Sequence, residues 1–330
     1  MAFAAPKQAR FFIILLSLPC LPQAGFGKGG IDFLLPLTKG GRKGLILEKL
    51  KNRIQQIKKR RPRYKEILDF YQKVKEEQEK KRASLKVEPI LMKKEWKDLL
   101  KKEGFSMIEK KDFPIDVEAS YSLFRSLCEI GKEANPHMTE EVKKIEKNIH
   151  NKAFDPKGLL SEAANQQMAE QIANELGFDK KILLFLIDSS VKPSIEAGVQ
   201  ELLNEIDTET WMKGYCPVCG SLPFLSLLKE EVGKRFLLCS YCGYRWRIDR
   251  LICPFCNNSE QESLHYLYSE GEEAYRIDLC DKCHQYIKTI DLRKIEASDL
   301  SLEDLATLHL DITASQKGYK RPVPSPWISQ

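Results

Sequence analysis

The C-terminal third of this chain is defined by four short cysteine pairs: Cys216-Pro-Val-Cys219-Gly, Cys239-Ser-Tyr-Cys242-Gly, Cys253-Pro-Phe-Cys256 and Cys280-Asp-Lys-Cys283. Two residues between the cysteines let the backbone turn tightly and aim both sulfur atoms at one metal ion. Gly220 and Gly243 directly follow the first two pairs, where such a turn favours a positive φ. A tetrahedral ion needs two pairs, so this segment predicts two four-cysteine metal sites.

The inserts between the cysteine pairs predict two β-hairpins, and the hairpins indicate which pairs belong together. Apolar runs flank a polar turn in each insert: Pro223–Leu228 with Arg235–Leu238, and Leu264–Tyr268 with Tyr275–Leu279. Each hairpin then carries one cysteine pair at either end. We therefore assign one site to Cys216, Cys219, Cys239 and Cys242, and the other to Cys253, Cys256, Cys280 and Cys283. An interleaved pairing of the four segments stays open.

The predicted sites are closed, because four thiolates complete a tetrahedral zinc site and leave no position for water. Closed zinc sites are structural, and in finger peptides they contribute about 10–16 kcal/mol of folding free energy. Iron in the same cage would be able to carry one electron. The expected cofactors are therefore two metal ions, zinc or iron.

Cysteine usage favours metal binding over disulfides. Eight of the ten cysteines lie in the four pairs, whereas Cys20 and Cys128 stand alone. Paired Cys-x-x-Cys segments in a chain of this length indicate a reducing compartment. Cys280-Asp-Lys-Cys283-His284 also matches the attachment pattern of c-type haem. Haem is not expected, because it would leave the third cysteine pair without a partner.

Residues 45–210 predict a helical bundle, since apolar residues recur there at helical spacing. Predicted helices cover residues 47–57, 64–74, 116–133, 139–150, 158–176, 180–188 and 193–205. Thr139 and Asp179 are predicted N-caps, and Gly177 is placed to end a helix. Pro193 is predicted to open the last helix of this region.

The two ends of the chain predict regions of a different kind. Residues 1–44 have a basic start and a short apolar run, Phe11–Leu18, in the layout of a secretory signal. The run is too short to span a bilayer, and we expect a disordered or leader-like extension. Residues 293–330 predict a helix with Ser301 and Asp304 as a capping box, followed by an extended tail.

The sequence contains no motif of an enzyme active site: no Gly-rich phosphate loop, no His-Glu-x-x-His and no nucleophile elbow. His137 and His150 fall on charged helical stretches, while His265 and His309 have no carboxylate pattern beside them. We therefore expect no enzyme, no catalytic residues, no cofactor-binding residues other than metal ligands, and no small-molecule substrate.

Basic residues are concentrated near the start of the predicted bundle. The net charge is +6, and residues 42–111 hold about two basic residues for each acidic one, including Lys58–Arg63. The solvated face of a charged helix is the expected explanation, with nucleic-acid binding as the alternative. Tyr244–Arg247 combines aromatic and basic side chains that could stack on bases, but packing over the ribbon is the favoured interpretation.

The motifs taken together resemble those of the formate dehydrogenase accessory protein FdhE family. The similar segments are Cys-Pro-Val-Cys-Gly-Ser at 216–221, Cys-x-x-Cys-Gly-x-x-Trp at 239–246, Leu-His-Tyr at 264–266, Cys-x-x-Cys-x-x-Tyr-x-Lys at 280–288 and Asp-Leu-Ala-x-Leu-x-Leu-Asp at 304–311. The resemblance is specific over residues 211–326 and concerns only architecture and length over residues 45–210. Asn257 and His284 depart from it, since a glycine often follows the cysteine pair.

The resemblance implies a cytoplasmic maturation factor that binds the catalytic subunit of a respiratory formate dehydrogenase before that subunit is exported. It also implies that all eight paired cysteines are metal ligands. Neither a nucleic-acid partner nor stable membrane insertion is expected. A rubredoxin-like iron redox protein and a nucleic-acid-binding zinc-ribbon protein stay open as alternatives.

The expected fold is a mainly α N-terminal helical bundle followed by two rubredoxin-like or zinc-ribbon β modules in tandem and a C-terminal helix. The expected domains are the extension at 1–44, the helical domain at 45–210, the tandem ribbon domain at 211–292, and the C-terminal helix and tail at 293–330.

Overall fold

The structure, a computed structural model, describes residues 11–15, 41–90, 99, 102–163, 165–202, 208, 210–325 and 327. The chain divides into two compact units. The helical unit lies within residues 36–206, and the sheet unit consists of strand β1 and residues 207–328. Across the described residues, no helix is both long and apolar enough to cross a bilayer.

The helical unit packs amphipathic helices around an apolar core. Its labelled helices are α1 (Gly41–Arg60), α2 (Lys65–Arg82), α3 (Val117–Lys132), α4 (Pro136–His150), α5 (Pro156–Ser161), α6 (Gln166–Leu176) and α7 (Lys180–Leu202). The predicted apolar positions do face this core: Ile54, Leu68 and Phe124 are fully buried. The helical character of the region is therefore confirmed.

Several helix ends differ from the prediction. The N-cap predicted at Thr139 is wrong, because the side chain of Asn135 accepts a hydrogen bond from the Met138 amide at 2.9 Å and α4 begins at Pro136. The single helix predicted at 158–176 is two helices, α5 and α6. Two predictions are confirmed. Gly177 ends α6 with φ of 66°, and Asp179 accepts hydrogen bonds from the first amides of α7.

Helix α7 runs without interruption through Pro193, so the prediction that Pro193 opens a new helix is wrong. Proline has no N–H to donate to the carbonyl four residues earlier, which belongs to Ser189. The side chain of Gln78, on α2, donates a hydrogen bond to that carbonyl at 2.8 Å and is itself only 6% exposed to solvent. A neighbouring helix thus supplies the hydrogen bond that proline cannot make.

The sheet unit contains one mixed seven-stranded sheet. Its strands are β1 (Phe11–Leu15), β2 (Pro223–Lys229), β3 (Lys234–Cys239), β4 (Arg245–Ile248), β5 (Leu264–Ser269), β6 (Tyr275–Cys280) and β7 (Gln285–Asp291). The order across the sheet is β1-β5-β6-β7-β2-β3-β4. Both predicted hairpins, β2–β3 and β5–β6, are confirmed and antiparallel.

The two ribbons are fused rather than merely consecutive. Strand β7 follows the second hairpin and pairs with β2 in parallel, with Leu225 opposite Lys288 and Leu228 opposite Asp291. The sequence predicted neither β7 nor β4 as a strand. Strand β1 pairs antiparallel with β5 and lies within residues 1–44, for which no regular element was predicted. The rest of residues 1–40 lies outside the described residues, and the extension there stays a prediction.

Two short helices close the sheet unit, α8 (Leu300–Ala306) and α9 (Leu308–Gln316), where one helix was predicted. The capping box predicted at Ser301 and Asp304 is wrong, because Asp299 accepts the hydrogen bond from the Leu302 amide at 3.0 Å. The apolar faces of these helices share the core of the sheet, which includes Leu300 and Leu310.

Asp304 belongs instead to a buried charge cluster with Lys288, Asp311 and Arg321. Lys288 Nζ lies 2.6 Å from a carboxylate oxygen of each aspartate. Arg321 binds both aspartates and donates to the carbonyl of Phe224 at 2.8 Å. Each buried charge therefore has an opposite charge beside it, and the cluster ties β7, both helices and the C-terminal segment together.

Candidate metal centres

The first candidate metal centre is assembled from the two ends of the β2–β3 hairpin. Cys216 and Cys219 precede β2, Cys239 ends β3, and Cys242 lies in the turn that leads into β4. The four sulfur atoms lie within 4.8 Å of one another. All four residues are buried, with at most 5% exposure.

The second candidate centre repeats this arrangement on the β5–β6 hairpin. Cys253 and Cys256 precede β5, Cys280 ends β6, and Cys283 lies in the turn that leads into β7. Their sulfur atoms also lie within 4.8 Å of one another. The structure thus brings together the two sets favoured by the sequence and does not interleave the pairs.

The sulfur geometry fits a tetrahedral ion. Metal–sulfur bonds of about 2.3 Å in a tetrahedron place the sulfur atoms about 3.8 Å apart, whereas a disulfide requires about 2.05 Å. Sulfur separations in the first centre are 3.4, 3.5 and 3.6 Å, and two in the second centre are 3.7 Å. Two four-cysteine clusters able to hold two metal ions are therefore present, and zinc and iron both suit such a donor set.

All four cysteine turns use the same backbone conformation. The residue after the second cysteine of each pair has a positive φ: Gly220 at 73°, Gly243 at 73°, Asn257 at 56° and His284 at 52°. The predicted positive φ at the two glycines is confirmed. Asparagine and histidine adopt this left-handed region more readily than most side chains, so their departure from glycine leaves the turn intact.

Hydrogen bonds to sulfur support the thiolates. The Cys242 amide lies 3.5 Å from the Cys239 sulfur in the first centre, and Asn258 Nδ2 lies 3.6 Å from the Cys280 sulfur in the second. Burial disfavours the Cys280 thiolate, but the backbone amides of Cys283 and Lys282 and the side chains of Asn258 and Cys256 together lower its pKa. Asn258 carried no motif in the sequence and was not predicted to contribute.

The two centres are connected by close contacts that the sequence did not predict. Arg235, on β3, donates to the carbonyl of Ile252 at 2.7 Å and to Asp278 on β6 at 3.1 Å. Gly214 packs so tightly that a Cβ atom there would lie 1.6 Å from the carbonyl oxygen of Pro254. The backbone just before the first centre thus touches the third cysteine pair.

The other residues singled out in the sequence have structural positions. Tyr244 and Trp246 are buried, and Trp246 donates to the carbonyl of Lys213 at 2.8 Å, so their rings pack over the ribbon as favoured. His265 and His309 lack a local carboxylate pattern in the sequence, yet each lies 2.9 Å from a carboxylate in the structure, of Asp281 and Glu272 respectively. These acids are distant in sequence, so no local pattern indicates them.

Among the described residues, Cys128 and His137 belong to the helical unit and to neither four-cysteine cluster. Burial raises the pKa of Cys128 to about 12, which makes it an unreactive core thiol. His137 is exposed and pairs with Asp179 at 3.0 Å. Cys20 lies outside the described residues.

The fold and these centres define a class of protein: a helical unit joined to a sheet unit that holds two four-cysteine metal centres. Two family models match the part of the sheet unit that contains both centres. Residues 215–250 match "FdhE, central domain" and residues 251–328 match "FdhE, C-terminal domain". These matches assign residues 215–328 to the central and C-terminal domains of FdhE proteins.

Individual relatives agree with this assignment. An FdhE homolog from Aquifex aeolicus is 35% identical over 179 residues, which cover 49% of this chain and 63% of that protein. FdhE from Escherichia coli is 35% identical over 117 residues, which cover 34% of this chain and 37% of that protein. The chain thus spans less than two thirds of the length of these curated relatives.

A solved structure agrees at the level of the fold. The crystal structure of the FdhE protein from Pseudomonas aeruginosa superimposes with a TM-score of 0.64 at 21% identity. The superposition covers 88% of this chain and 98% of that one. At this identity the match establishes the fold, which is that of both units.

Proposed function

We propose that this chain is a cytoplasmic accessory factor that binds the catalytic subunit of a respiratory formate dehydrogenase before the subunit is exported, and that it is not itself an enzyme. The observation that carries the proposal is the match of residues 215–328 to both FdhE domain models, because this region contains all eight paired cysteines. The family identity supports an accessory role in formate dehydrogenase maturation.

The four-thiolate donor sets support a structural role for the metal ions in a protein that binds a partner. Four thiolates complete the coordination of each ion, and a closed site has no open position at which a substrate or water is activated. The ions would instead hold the ribbon turns in place. The sheet unit would then present a rigid surface to the catalytic subunit, and the reducing cytoplasm would keep all eight thiols available to the ions.

Affinity purification of the tagged full chain from its native host, followed by mass spectrometry, tests this proposal. The expected result is enrichment of a formate dehydrogenase catalytic subunit. A Cys239→Ala bait should lose the subunit because the sheet unit loses a metal centre, and a Cys128→Ala bait should retain it. RNA polymerase, ribosomal proteins or nucleic acid in place of the subunit would instead support the nucleic-acid-binding alternative.

The exposure of Cys256 favours one second candidate, a rubredoxin-like electron carrier with iron in the second centre. An iron ion held by a partly exposed set of thiolates is within reach of an electron donor. Purification without oxygen followed by exposure to air should then produce a visible ferric-thiolate absorption band. A colourless protein that contains only zinc would exclude this candidate.

A further inference from the structure

The two centres differ in how far their sulfur atoms are covered. In the first centre, the exposure is 0% for Cys216, Cys239 and Cys242, and 5% for Cys219. In the second centre, Cys253 and Cys280 are buried at 4% and 2%, but Cys256 is exposed and Cys283 is partly exposed. Each of the two pairs in the second centre therefore has one inner and one outer cysteine.

The inner cysteines are packed more deeply than the outer ones. Cys253 and Cys280 form a small apolar core with Leu264, against which Phe255 and Cys283 pack only in part. The Cys253 sulfur accepts hydrogen bonds from the Phe255 and Cys256 amides, and the Cys280 sulfur accepts one from Asn258 Nδ2. The two inner cysteines, Cys253 and Cys280, are thus buried in the fold, whereas the two outer cysteines, Cys256 and Cys283, are accessible to solvent.

Access to the inner side of the second centre is narrow. The partly open cleft that borders Cys253 and Cys280 has a volume of about 30 Å³. Arg235, Arg250 and Arg276 line this cleft. A chelating or thiol-bearing molecule therefore approaches the centre from the side of Cys256 and Cys283.

Thiolate sites exchange their ion by ligand substitution, which requires that an entering donor reach the ion. We propose that the second centre is an exchange site, which gives up and accepts its ion through Cys256 and Cys283 to soft donors such as thiols, whereas the first centre retains its ion. In each substitution an entering thiol loses its proton as its sulfur binds, and the departing cysteine thiolate gains a proton. Charge and atoms balance, and no oxidant is needed.

This inference goes beyond the proposed accessory function and rests only on metal occupancy of the two centres. A protein that holds one ion permanently and exchanges the other would combine a fixed scaffold with a metal-responsive surface. Its test therefore needs neither a formate dehydrogenase nor any activity, and its failure would leave the accessory function unaffected.

The test uses the purified full chain loaded with two zinc ions, as measured by elemental analysis, mixed with an excess of the chromogenic chelator 4-(2-pyridylazo)resorcinol. Zinc release should occur in two phases of equal amplitude, with the fast phase at least about tenfold faster than the slow one. The fast rate should rise with chelator concentration, because the chelator attacks an exposed site directly. The slow rate should not, because it is limited by opening of the protein.

Alkylation assigns the phases without any substitution. A short pulse of N-ethylmaleimide after the fast phase, followed by peptide mass spectrometry, should modify the outer cysteines Cys256 and Cys283 and leave the four cysteines of the first centre unmodified. Release of both ions in one phase, or fewer than two ions after loading, would overturn the proposal. Alkylation of cysteines in the first centre together with those in the second would also overturn the proposal.

A matched pair of variants provides an independent check. Cys256→Ser should abolish the fast phase and leave one ion that is released at the slow rate. Cys128→Ser changes a buried thiol of the helical unit and should leave both phases unchanged. A fast phase that persists at full amplitude in Cys256→Ser would show that the outer cysteines do not control exchange.

Discussion

Gly214 shows how one residue without a side chain sets the distance between two metal centres. Its backbone lies against the carbonyl oxygen of Pro254, between the cysteines of the third pair, where a Cβ would sit at 1.6 Å. Real Cβ atoms do not approach a backbone oxygen so closely, and neither segment is a flexible side chain that could move aside. Any larger residue at this position must therefore separate the two segments.

We expect Gly214→Ala to lower the free energy of unfolding of the sheet unit by about 1–3 kcal/mol, the usual cost of overpacking. The damage should fall on the second centre, which should release zinc to a chelator faster than in the unmodified chain. Gly158→Ala is the control, because a Cβ atom at Gly158 would lie 3.6 Å from Asp155 Oδ2, which is an ordinary contact. Equal chelation rates in the two variants would refute the role assigned to Gly214.

Asn257 and His284 show that a residue other than glycine can take a position that the sequence pattern reserves for glycine. From the sequence they are departures from a glycine pattern, yet both have the left-handed backbone that glycine has in the other two turns. The expectation of a glycine after each cysteine pair thus did not identify the left-handed conformation, which glycine, asparagine and histidine all adopt here. The cysteine spacing, which fixes the turn, was the more reliable indicator.

At the scale of elements, helix α7 depends on a neighbour to remain one helix. The Ser189 carbonyl, which Pro193 leaves without a helical partner, accepts its hydrogen bond from Gln78 on α2. Loss of this donor would leave a carbonyl group unpaired in the interior of the helical unit. Such groups cost about 1–3 kcal/mol.

We therefore expect Gln78→Leu to reduce the stability of the helical unit by about 1–3 kcal/mol in chemical denaturation followed by circular dichroism. In a Pro193→Ala background the same change should cost less, because the alanine amide can donate to Ser189. The double-mutant cycle measures this coupling directly. Additive effects of the two substitutions would mean that the hydrogen bond does not compensate for the proline.

Local patterns predicted the cysteine turns and the hairpins, but three predicted helix starts, at Thr139, Pro193 and Ser301, are wrong, and long-range strand pairing was not predicted. The cysteine turns and both hairpins follow from spacing and alternation within short segments, and all of them were predicted. The parallel pairing of β2 with β7 joins Leu225 to Lys288, and no local signal in either strand indicates the other. The same holds for Arg235, whose acceptors lie on segments that become its neighbours only in the folded sheet.

At the scale of the whole molecule, the two units should respond differently to the loss of a metal ion. Cys239 ends β3, a strand with neighbours on both sides in the sheet, and its sulfur lies 3.4 Å from that of Cys219. Structural zinc contributes most of the folding free energy of small ribbons. We expect the sheet unit to depend on this contribution around its first centre, whereas no candidate metal cluster lies among the described residues of the helical unit.

Cys239→Ala should therefore reduce the metal content by at least one ion per chain and disorder the sheet unit, while the helical circular dichroism signal remains. Elemental analysis and near- and far-ultraviolet spectra measure these effects. Cys128→Ala, which removes a buried thiol from the helical unit, should retain both ions. Full metal content in Cys239→Ala would refute the assignment of this cysteine as a ligand.

Acid should act on the helical unit through Glu196, which pairs with Arg82. Burial alone would raise the pKa of Glu196, but Arg82 and nearby lysines bring it down to about 2, from an ordinary value of 4.5. A lowered pKa in the folded state stabilises the fold above pH 4.5, and this contribution is lost as the pH falls from 4.5 towards 2.

The urea midpoint of the helical signal should therefore decrease as the pH is lowered from 5 to 2, to about the midpoint of a Glu196→Gln variant. The midpoint of that variant should change less over the same pH range. Glu118→Gln is the control, since Glu118 is 77% exposed beside Lys157. A midpoint for Glu196→Gln that falls as steeply as that of the unmodified chain would show that other carboxyl groups determine acid sensitivity.

The parallel pairing of β2 with β7 has a consequence for how the protein is made. The chain leaves the ribosome from its N-terminus, so the β2–β3 hairpin and its four cysteines are complete once Cys242 has emerged. One edge of β2 then has no neighbour until Asp291 follows. During that interval the nascent chain can load its first metal ion, but it also displays an open strand edge, the kind of surface that chaperones cover and that aggregation exploits. Completion of the sheet thus waits until β7 has been synthesised.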